Sequence, residues 1–201
     1  MRRLLIPAML ALLSRGEAPV SNSDAAMVNA AMLSFFTPSG WNHGWSEGDL
    51  VVISESWATN SSSDFADMVS DVWGRASSPR DKRIYAELDE IPSGGAKSAQ
   101  IPLTRLDLDS RILRLANIYP PEGYAGMGWS PGERVKGTFG ERRTVRIKGA
   151  LVPPVYSPDG RYAALRMTHV PWSIHACDIT FFFQKQGTAW TLLLILPIYY
   201  L

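Results

Sequence analysis

Apolar residues spaced three and four positions apart predict two helices in the N-terminal part of the chain. The first begins at a capping pattern formed by Ser21 and Asp24 and ends at about Phe36, before a stop of Thr, Pro, Ser and Gly. The second begins after a capping Ser63 and ends at Gly74. Its predicted buried face consists of Phe65, Met68, Val69, Val72 and Trp73.

Shorter apolar runs predict strands between and after these helices. They cover residues 49–57, 84–88 and 101–106, where apolar or β-branched residues precede turn-forming ones. Residues 75–83 are rich in Arg and Lys and are predicted to form a basic loop. Residues 119–140 are dense in Gly, Pro and aromatic residues, so they are predicted to form a long ordered loop.

The last quarter of the chain predicts an antiparallel meander. A strand over residues 144–156 leads into Ser157-Pro158-Asp159-Gly160, which has Pro and Gly at the positions that a type I turn favours. A strand over residues 162–168 follows. Strand alternation assigns one face to Ala163, Leu165 and Met167 and the other to Tyr162, Ala164, Arg166 and Thr168.

A phenylalanine-rich strand over residues 174–185 and a final strand form the closing hairpin. A two-residue loop of Gln186 and Gly187 would place Phe183 opposite Trp190. One side of this hairpin is wholly apolar and the other is mixed, so both faces are expected to be covered, with the two helices on one of them. The predicted fold class is α+β, with two N-terminal helices packed on a curved, mainly antiparallel sheet that ends in a C-terminal meander.

Residues 1–18 resemble a secretory signal. Arg2 and Arg3 precede an apolar run over residues 4–13, which is shorter than the about 20 residues that span a bilayer, and cleavage is predicted after Ala18. The alternative is an N-terminal helix docked on the domain. The sequence therefore predicts one globular domain over residues 19–201, exported to the periplasm or secreted in soluble form, with no membrane span in the mature protein.

Composition narrows the functional classes. The 201 residues are 46% hydrophobic and 19% charged, with a net charge of +1 and a single cysteine. Removal of residues 1–18, which hold three Arg and one Glu, would lower the net charge to about −1. The whole-chain charge therefore gives no electrostatic argument for DNA, RNA or anionic lipid as partners, and one cysteine excludes an intramolecular disulfide.

One group of residue types could bind a metal or act in catalysis. His169, His175, Cys177 and Asp178 lie within ten positions, and imidazole, thiolate and carboxylate are ligands that zinc accepts. Their spacing matches no established zinc module, and Cys177 continues an apolar strand face. The sequence therefore predicts no metal and no cofactor, with His175, His169 and Asp178 as candidates for a catalytic His/carboxylate pair.

Two acidic stretches are further candidates. Glu87, Asp89 and Glu90 form one, and Asp107 with Asp109 forms the other. Such carboxylates could hold calcium or act as an acid/base pair, but alternating Asp is also typical of the solvent face of an edge strand.

Aromatic residues in predicted loops give the binding hypothesis. Trp41, His43, Trp45 and Trp129 could stack on sugar rings or apolar ligands. The competing interpretation is that they cap the ends of the sheet. The candidate partners are a small molecule, a glycan or a protein, whereas nucleic acid is not expected because the positive charge that it requires is missing.

Residues 152–201 resemble the closing hairpins of small exported bacterial proteins of unknown function. The resemblance lies in the turn Ser157-Pro158-Asp159-Gly160, the run Ala163-Ala164-Leu165, and Lys185, Gly187 and Trp190 around the last turn. More distantly, it extends to the cone-shaped folds of scytalone dehydratase and the ketosteroid isomerases. That likeness implies a helix-lined pocket with an acid/base pair, although the loop at 119–140 departs from the short connections of those folds.

Two function hypotheses result. The first is an exported binding or interaction module that uses loop aromatics and is not an enzyme. The alternative is a small cone-fold dehydratase or isomerase, in which His175 or His169 would lie within hydrogen-bonding distance of a carboxylate such as Asp178.

Overall fold

The computed structural model describes residues 23–36, 49–54, 64–96, 102–119, 134–136, 142–172 and 175–199. The helices are α1 (Ser23–Phe36), α2 (Phe65–Ser70), α3 (Pro79–Asp89) and α4 (Ser110–Leu115), with a 3₁₀ turn at Leu103–Arg105. The strands are β1 (Asp49–Ser54), β2 (Ala116–Tyr119), β3 (Arg134–Lys136), β4 (Arg142–Tyr156), β5 (Tyr162–Trp172), β6 (His175–Gln186) and β7 (Ala189–Tyr199).

These strands form one sheet in the order β2-β1-β4-β5-β6-β7, and β3 pairs with β4 outside that path. β1 runs parallel to β2 and to β4, whereas every other pairing is antiparallel. Helices combined with a mainly antiparallel sheet confirm the predicted α+β class. The sequence pattern does not predict the two parallel pairings of β1, because a single apolar run carries no information about strand direction.

The long strand β4 joins two parts of this sheet. Its residues up to Gly149 pair with β1, and from Ala150 onward it pairs with β5. A Cβ atom at Gly149 would lie 2.9 Å from the carbonyl oxygen of Thr168, so the absence of a side chain allows β5 to approach β4 at this point.

The turn between β4 and β5 is present as predicted. The amide of Gly160 donates to the carbonyl of Ser157 at 2.9 Å, and Gly160 has a φ of +68°. The side chain of Ser157 also stabilises the turn, because its Oγ accepts a hydrogen bond from the amide of Tyr162 at 3.0 Å. The turn residues in the sequence therefore determine where the chain reverses.

The closing hairpin has a different register from the predicted one. Gln186 pairs with Ala189, so Gly187 and Thr188 form the loop in place of Gln186 and Gly187. Phe183 accordingly lies opposite Leu192 rather than Trp190, and a further shift occurs between Phe182 and Phe183. Gly187 has a φ of +62°, a backbone conformation that residues with a side chain adopt less readily than glycine.

Both faces of the β5–β6 part of the sheet are buried, by two separate core clusters. The α1-side core contains Ala25, Met27, Val28, Ala31, Met32, Leu103, Leu106, Ile112, Leu151, Ala163, Leu165, Met167, Ile179, Phe181 and Phe183. The α2-side core contains Phe65, Met68, Val69, Val72, Tyr85, Leu88, Val152, Val155, Tyr162, Ala164, Phe182, Leu194, Leu196 and Ile198.

This division corrects the expectation that the helices share one face. Residues of α1 belong to one core, whereas residues of α2 and α3 belong to the other. The physical reason lies in β6, where Phe181, Phe182 and Phe183 follow one another and point to alternate faces. Each fully buried Phe contributes about 1.5–3 kcal/mol, so apolar cover is favourable on both faces.

The second predicted helix is α2, with one correction to its buried face. Asp64 caps it, since the carboxylate accepts from the amide of Asp67 at 3.0 Å, and the predicted cap Ser63 lies outside the described residues. Four of the five predicted core residues are buried, but Trp73 is 73% exposed. The helix ends at Ser70, so Trp73 follows a turn and no longer continues the helical face.

The predicted strands at 84–88 and 101–106 are wrong. The first segment lies in α3, and the second contains the 3₁₀ turn. Ser78 caps α3 by accepting from the amide of Asp81 at 3.0 Å, and Pro79 occupies its first position. These start signals extend the helix back into the predicted basic loop, and Tyr85 and Leu88 then lie on one helical face.

The predicted long loop at 119–140 contains a short strand. Arg134–Lys136 forms β3 and pairs with β4, and residues 120–133 lie outside the described residues. Among the described residues, no helix has the length and apolar character needed to cross a membrane.

Candidate functional site

The four loop residues predicted to bind a ligand are Trp41, His43, Trp45 and Trp129. All four lie outside the described residues. Their role in stacking on a ligand therefore stays a prediction.

The candidate His/carboxylate group lies where β5 meets β6. His169 is in β5, and His175 begins β6 opposite Trp172. The hairpin therefore brings the main chain of both histidines to one end, together with that of Cys177. The side chains of these three residues lie outside the described set, whereas Asp178 is described and is 7% exposed. Among the described residues, no group of three or more His, Cys, Asp or Glu could hold a metal ion.

Asp178 belongs to a buried polar row on the face of the sheet that carries the α2-side core. The other members are Arg166 and Thr168 on β5 and Thr180 on β6, all of them buried. Thr168 donates from Oγ1 to the carbonyl of Ala150 at 3.2 Å. Arg166 lies directly opposite Thr180, which makes Asp178 its diagonal neighbour, at a Cα separation of about 7–8 Å.

Arg166 connects this row to the end of α2. Its guanidinium donates from Nη1 to Asp71 Oδ2 at 2.9 Å and from Nε to Thr180 Oγ1 at 3.1 Å. The third nitrogen, Nη2, is buried and has no hydrogen-bond partner among the described residues. Buried donors are nearly always satisfied, so Nη2 is an exception among the described residues.

A groove of about 470 Å³ lies between the end of α3 and the β4–β5 turn. That volume is within the range of about 300–1,000 Å³ that is usual for small-molecule sites. The groove is lined by Glu87, Glu90, Ile91, Pro92, Pro158, Asp159, Arg161 and Tyr162.

Residues 91–96, which follow α3, are held against the end of β4. The amide of Gly94 donates to Asp64 Oδ2 at 2.9 Å, and the carbonyl of Ala96 accepts from the amide of Tyr156 at 2.9 Å. Gly95 has a φ of +120°, and a Cβ atom there would lie 1.8 Å from the carbonyl oxygen of Tyr156. A glycine is therefore required where this segment passes the strand, and the segment forms one wall of the groove.

Two of the three carboxylates in the groove already have partners. The hydroxyl of Tyr162 donates to Glu87 Oε1, and this hydrogen bond, followed by burial, raises the pKa of Tyr162. Asp159 accepts from Ser157 Oγ and from Arg161 Nε, both at 2.6 Å. These bonds, the one from Ser157 first, lower the pKa of Asp159 to about 2.

The remaining carboxylate, that of Glu90, is exposed and has no side-chain partner among the described residues. The groove therefore carries three carboxylates and one guanidinium, that of Arg161. Its formal charge is negative even though the whole chain is close to neutral.

The charges of α3 oppose its dipole. Apart from Asp81, the N-terminal half carries cations and the C-terminal end carries carboxylates, whereas the dipole favours the reverse. The cations are Arg80, Lys82 and Arg83, and the carboxylates are Glu87, Asp89 and Glu90. Each such exposed charge near a helix end costs about 0.3–1 kcal/mol. Local rules of this kind are most often broken at functional sites.

In comparisons with known proteins, no protein-family model, no curated protein and no solved structure matches this chain.

Sequence reasoning identified only part of this site. The acidic run of Glu87, Asp89 and Glu90 was a candidate, but for calcium or acid/base chemistry on a predicted strand and loop. The sequence pattern assigns Asp159 only to the turn between β4 and β5, and it assigns no function to Arg161. No local signal joins the two segments, because they meet only when α3 packs beside the β4–β5 turn.

Proposed function

We propose that this protein is a binding module whose groove takes a small organic cation, with an apolar body and an ammonium or guanidinium group. The observation that carries this proposal is the composition of the groove. It combines the apolar side chains of Ile91, Pro92 and Pro158 with the carboxylates of Glu87 and Glu90. An apolar pocket with a few converging polar groups is the usual form of a small-molecule site.

The charge of the groove supports a cationic ligand. Glu87 holds the hydroxyl of Tyr162, and Asp159 holds the guanidinium of Arg161, so these carboxylates are positioned by the protein itself. Glu90 is the carboxylate that remains available to pair with a ligand. An anionic ligand would meet three carboxylates against one cation, and this repulsion would select against it.

The apolar wall supports a ligand with a hydrophobic body. The guanidinium of Arg161 lies 5.7 Å from the ring centroid of Tyr162 and covers that aromatic face. Ile91, Pro92 and Pro158 therefore provide the remaining apolar surface. Two of these residues are prolines, whose restricted backbone reduces the entropy that is lost when a ligand binds.

The scaffold of the groove is also part of the proposal, with α1 and α2 packed against the sheet. Support comes from the two core clusters, in which α1 residues adjoin Leu165 and Phe181, and α2 residues adjoin Ala164 and Phe182. Such packing would keep the groove walls in place before a ligand arrives.

The test is an NMR titration of the ¹⁵N-labelled protein with three ring compounds of similar size: benzylamine, benzyl alcohol and benzoate. We expect saturable shifts of the amides of Ile91, Asp159 and Arg161 with benzylammonium, weaker ones with benzyl alcohol, and none with benzoate. Glu90→Gln should weaken benzylammonium binding about three- to fivefold, as expected for one exposed charge pair.

Asp107→Asn is the matched control, because it removes an exposed carboxylate from the 3₁₀–α4 connection, outside the groove lining. It should leave benzylammonium affinity unchanged. Equal affinities for benzoate and benzylammonium would refute the proposal, as would shifts that map to other parts of the chain.

A second candidate function is the small cone-fold enzyme of the dehydratase or isomerase type. The observation that favours it is Asp178, a carboxylate buried on the sheet face that also holds Arg166. The hypothesis requires a histidine, His169 or His175, paired with Asp178. Asp178→Asn should then lower the titration midpoint of one histidine C2 proton, with His175→Ala used to assign it. Three unchanged histidine titrations would exclude the pair.

Export is the third part of the proposal, to the periplasm or the extracellular space. Its support is the pattern of Arg2 and Arg3, an apolar run and a small residue at Ala18. N-terminal sequencing of the protein from native cell fractions should give a chain that begins at residue 19. A cytoplasmic protein that retains residue 1 would contradict this part alone.

A further inference from the structure

Trp73 is the one large hydrophobic residue that is exposed among the described residues, and 73% of its surface is accessible to solvent. It lies on an ordered turn. The amide of Trp73 donates to the carbonyl of Ser70 at 3.0 Å, and the amide of Arg75 donates to the carbonyl of Val72 at 3.0 Å. Gly74 follows with a φ of +76° and open space around it. The indole is therefore presented outward by fixed backbone.

The residues that follow Trp73 are strongly basic, whereas Asp71 before it pairs with Arg166. Between Trp73 and Arg83 the chain carries four cations and one carboxylate, that of Asp81. The cations are Arg75, Arg80, Lys82 and Arg83, all exposed, and none of them pairs with a carboxylate of the described residues. We refer to Trp73 and these four cations as the hairpin tip, because they lie on the connection between α2 and α3 and on the start of α3.

The fold places the hairpin tip at one end of a helix pair. Tyr85 in α3 donates from its hydroxyl to the carbonyl of Val69 in α2 at 3.3 Å, so the two helices lie side by side. The connection between them is short, and the cations at the start of α3 therefore lie at the end of the pair that holds Trp73. The positive end of the α3 dipole adds to their potential.

From these observations we infer that the hairpin tip docks on an anionic phospholipid surface. The indole of Trp73 would lie at the boundary between headgroups and acyl chains, where Trp is favoured, and the four cations would face the phosphates. Each Lys or Arg near such a surface raises the partition constant about fivefold. This inference is independent of the proposed ligand in the groove.

A lipid surface fits the hairpin tip better than an acidic protein does. A stable protein interface buries about 800 Å² on each partner around an apolar core, and one exposed indole among charges does not supply such a core. Peripheral membrane contact requires only an interfacial aromatic residue together with several cations. The net charge of the whole chain is only +1, because carboxylates elsewhere in the sequence balance this local concentration of positive charge.

The test is co-sedimentation of the full chain with large unilamellar vesicles at about 0.1 M salt, where charges beyond about 10 Å are screened. The vesicles contain phosphatidylcholine alone or mixed with phosphatidylglycerol. We expect binding only to the mixed vesicles. Trp73→Ala should weaken it on the order of tenfold, and the double variant Arg80→Gln/Lys82→Gln about 25-fold.

The control for the loss of two positive charges is Arg111→Gln/Lys185→Gln, which removes two exposed cations from other parts of the fold, where Arg111 pairs with Asp109 and Lys185 contacts the ring of Trp190. It should retain nearly all vesicle binding. Every variant keeps residues 1–18, so a difference between variants cannot come from that apolar segment. All the altered side chains are exposed, and a cooperative urea unfolding transition would verify that each variant folds.

Three results would overturn the inference. The first is the absence of wild-type binding to mixed vesicles, and the second is an equal loss in the control and the tip variants. The third is binding to soluble polyglutamate that depends on Trp73 in the absence of vesicle binding, which would identify an acidic protein as the partner.

Discussion

Arg166, in the middle of the sheet, donates from Nη1 to Oδ2 of Asp71, at the end of α2, over 2.9 Å. The guanidinium is 5% exposed and the carboxylate 47%, so a buried charge is compensated by one that is partly in water. This bond joins positions 95 residues apart in the chain. It fixes the end of α2 two residues before Trp73 and thereby connects the core of the sheet to the hairpin tip.

Asp71→Asn should lower the free energy of unfolding by about 1–2 kcal/mol, because it leaves a buried guanidinium without its counter-charge, and the partial exposure of Asp71 limits the loss. Arg166→Met should lower the free energy of unfolding by less than Asp71→Asn does, because it removes the buried charge together with the unpartnered Nη2. Urea unfolding of both variants measures the difference, with Asp107→Asn as the control for loss of a carboxylate. A larger cost for Arg166→Met would mean that Nη2 has a partner in the native protein.

Gly95→Ala should be severely destabilising, whereas Gly94→Ala should not. Both glycines have nearly the same φ, +120° and +115°, so both substitutions carry the same backbone strain of about 1–3 kcal/mol. Only the Cβ at position 95 would collide with the carbonyl of Tyr156, at 1.8 Å, whereas the closest atom at position 94 is 3.8 Å away. We expect Gly95→Ala to cost at least about 3 kcal/mol more in urea unfolding. Equal costs would show that the segment is not held against β4.

Stability should fall as the pH rises above 10. Burial, together with Asp89, raises the pKa of Tyr85 to about 12, and burial and then the bond to Asp24 raise the pKa of Tyr156. The hydrogen bond to Glu87 raises the pKa of Tyr162. Each phenol ionises near pH 10 in the unfolded chain, so the unfolded state binds fewer protons above that pH, and the free energy of unfolding declines until the folded-state pKa is passed.

Urea unfolding between pH 8 and about pH 12 measures this decline, and phenolate absorbance of the folded protein should show late-titrating tyrosines. Tyr156→Phe should make the decline shallower, because it removes one of the three tyrosines with a raised pKa. A free energy of unfolding that stays constant above pH 10 would contradict the three pKa shifts.

Arg80→Glu should stabilise the protein and weaken its binding to anionic vesicles. A carboxylate in the first turn of α3 interacts favourably with the helix dipole, so the free energy of unfolding should rise by about 0.5 kcal/mol. Lys185→Glu reverses a charge on a strand and removes the contact of Lys185 with the ring of Trp190, 5.8 Å from its centroid, so it should not raise stability and should leave vesicle binding unchanged. Urea unfolding and vesicle sedimentation give the two readings. A destabilised Arg80→Glu variant would show that the charges of α3 are not in conflict with its dipole.

The sequence alone determined the features that depend on local pattern. Alternation along β5 assigned Ala163 and Tyr162 to opposite faces, and Pro158 and Gly160 located the reversal between β4 and β5, because each signal lies within a few residues. The α+β class followed from the same patterns. The buried face of α2 was also predictable up to Val72.

Only the tertiary structure decided how these pieces meet. Ser78 and Pro79 are local start signals of α3, but the inclusion of 84–88 in this helix, instead of the predicted strand, is accompanied by packing of Tyr85 and Leu88 in the α2-side core. The same non-local packing set the parallel pairing of β1 and the shift beside Phe183. It also left Trp73 exposed, because α2 ended before that residue. The groove exists for the same reason: Glu90 and Arg161 are distant in the chain, and no local preference specifies that they line one cavity.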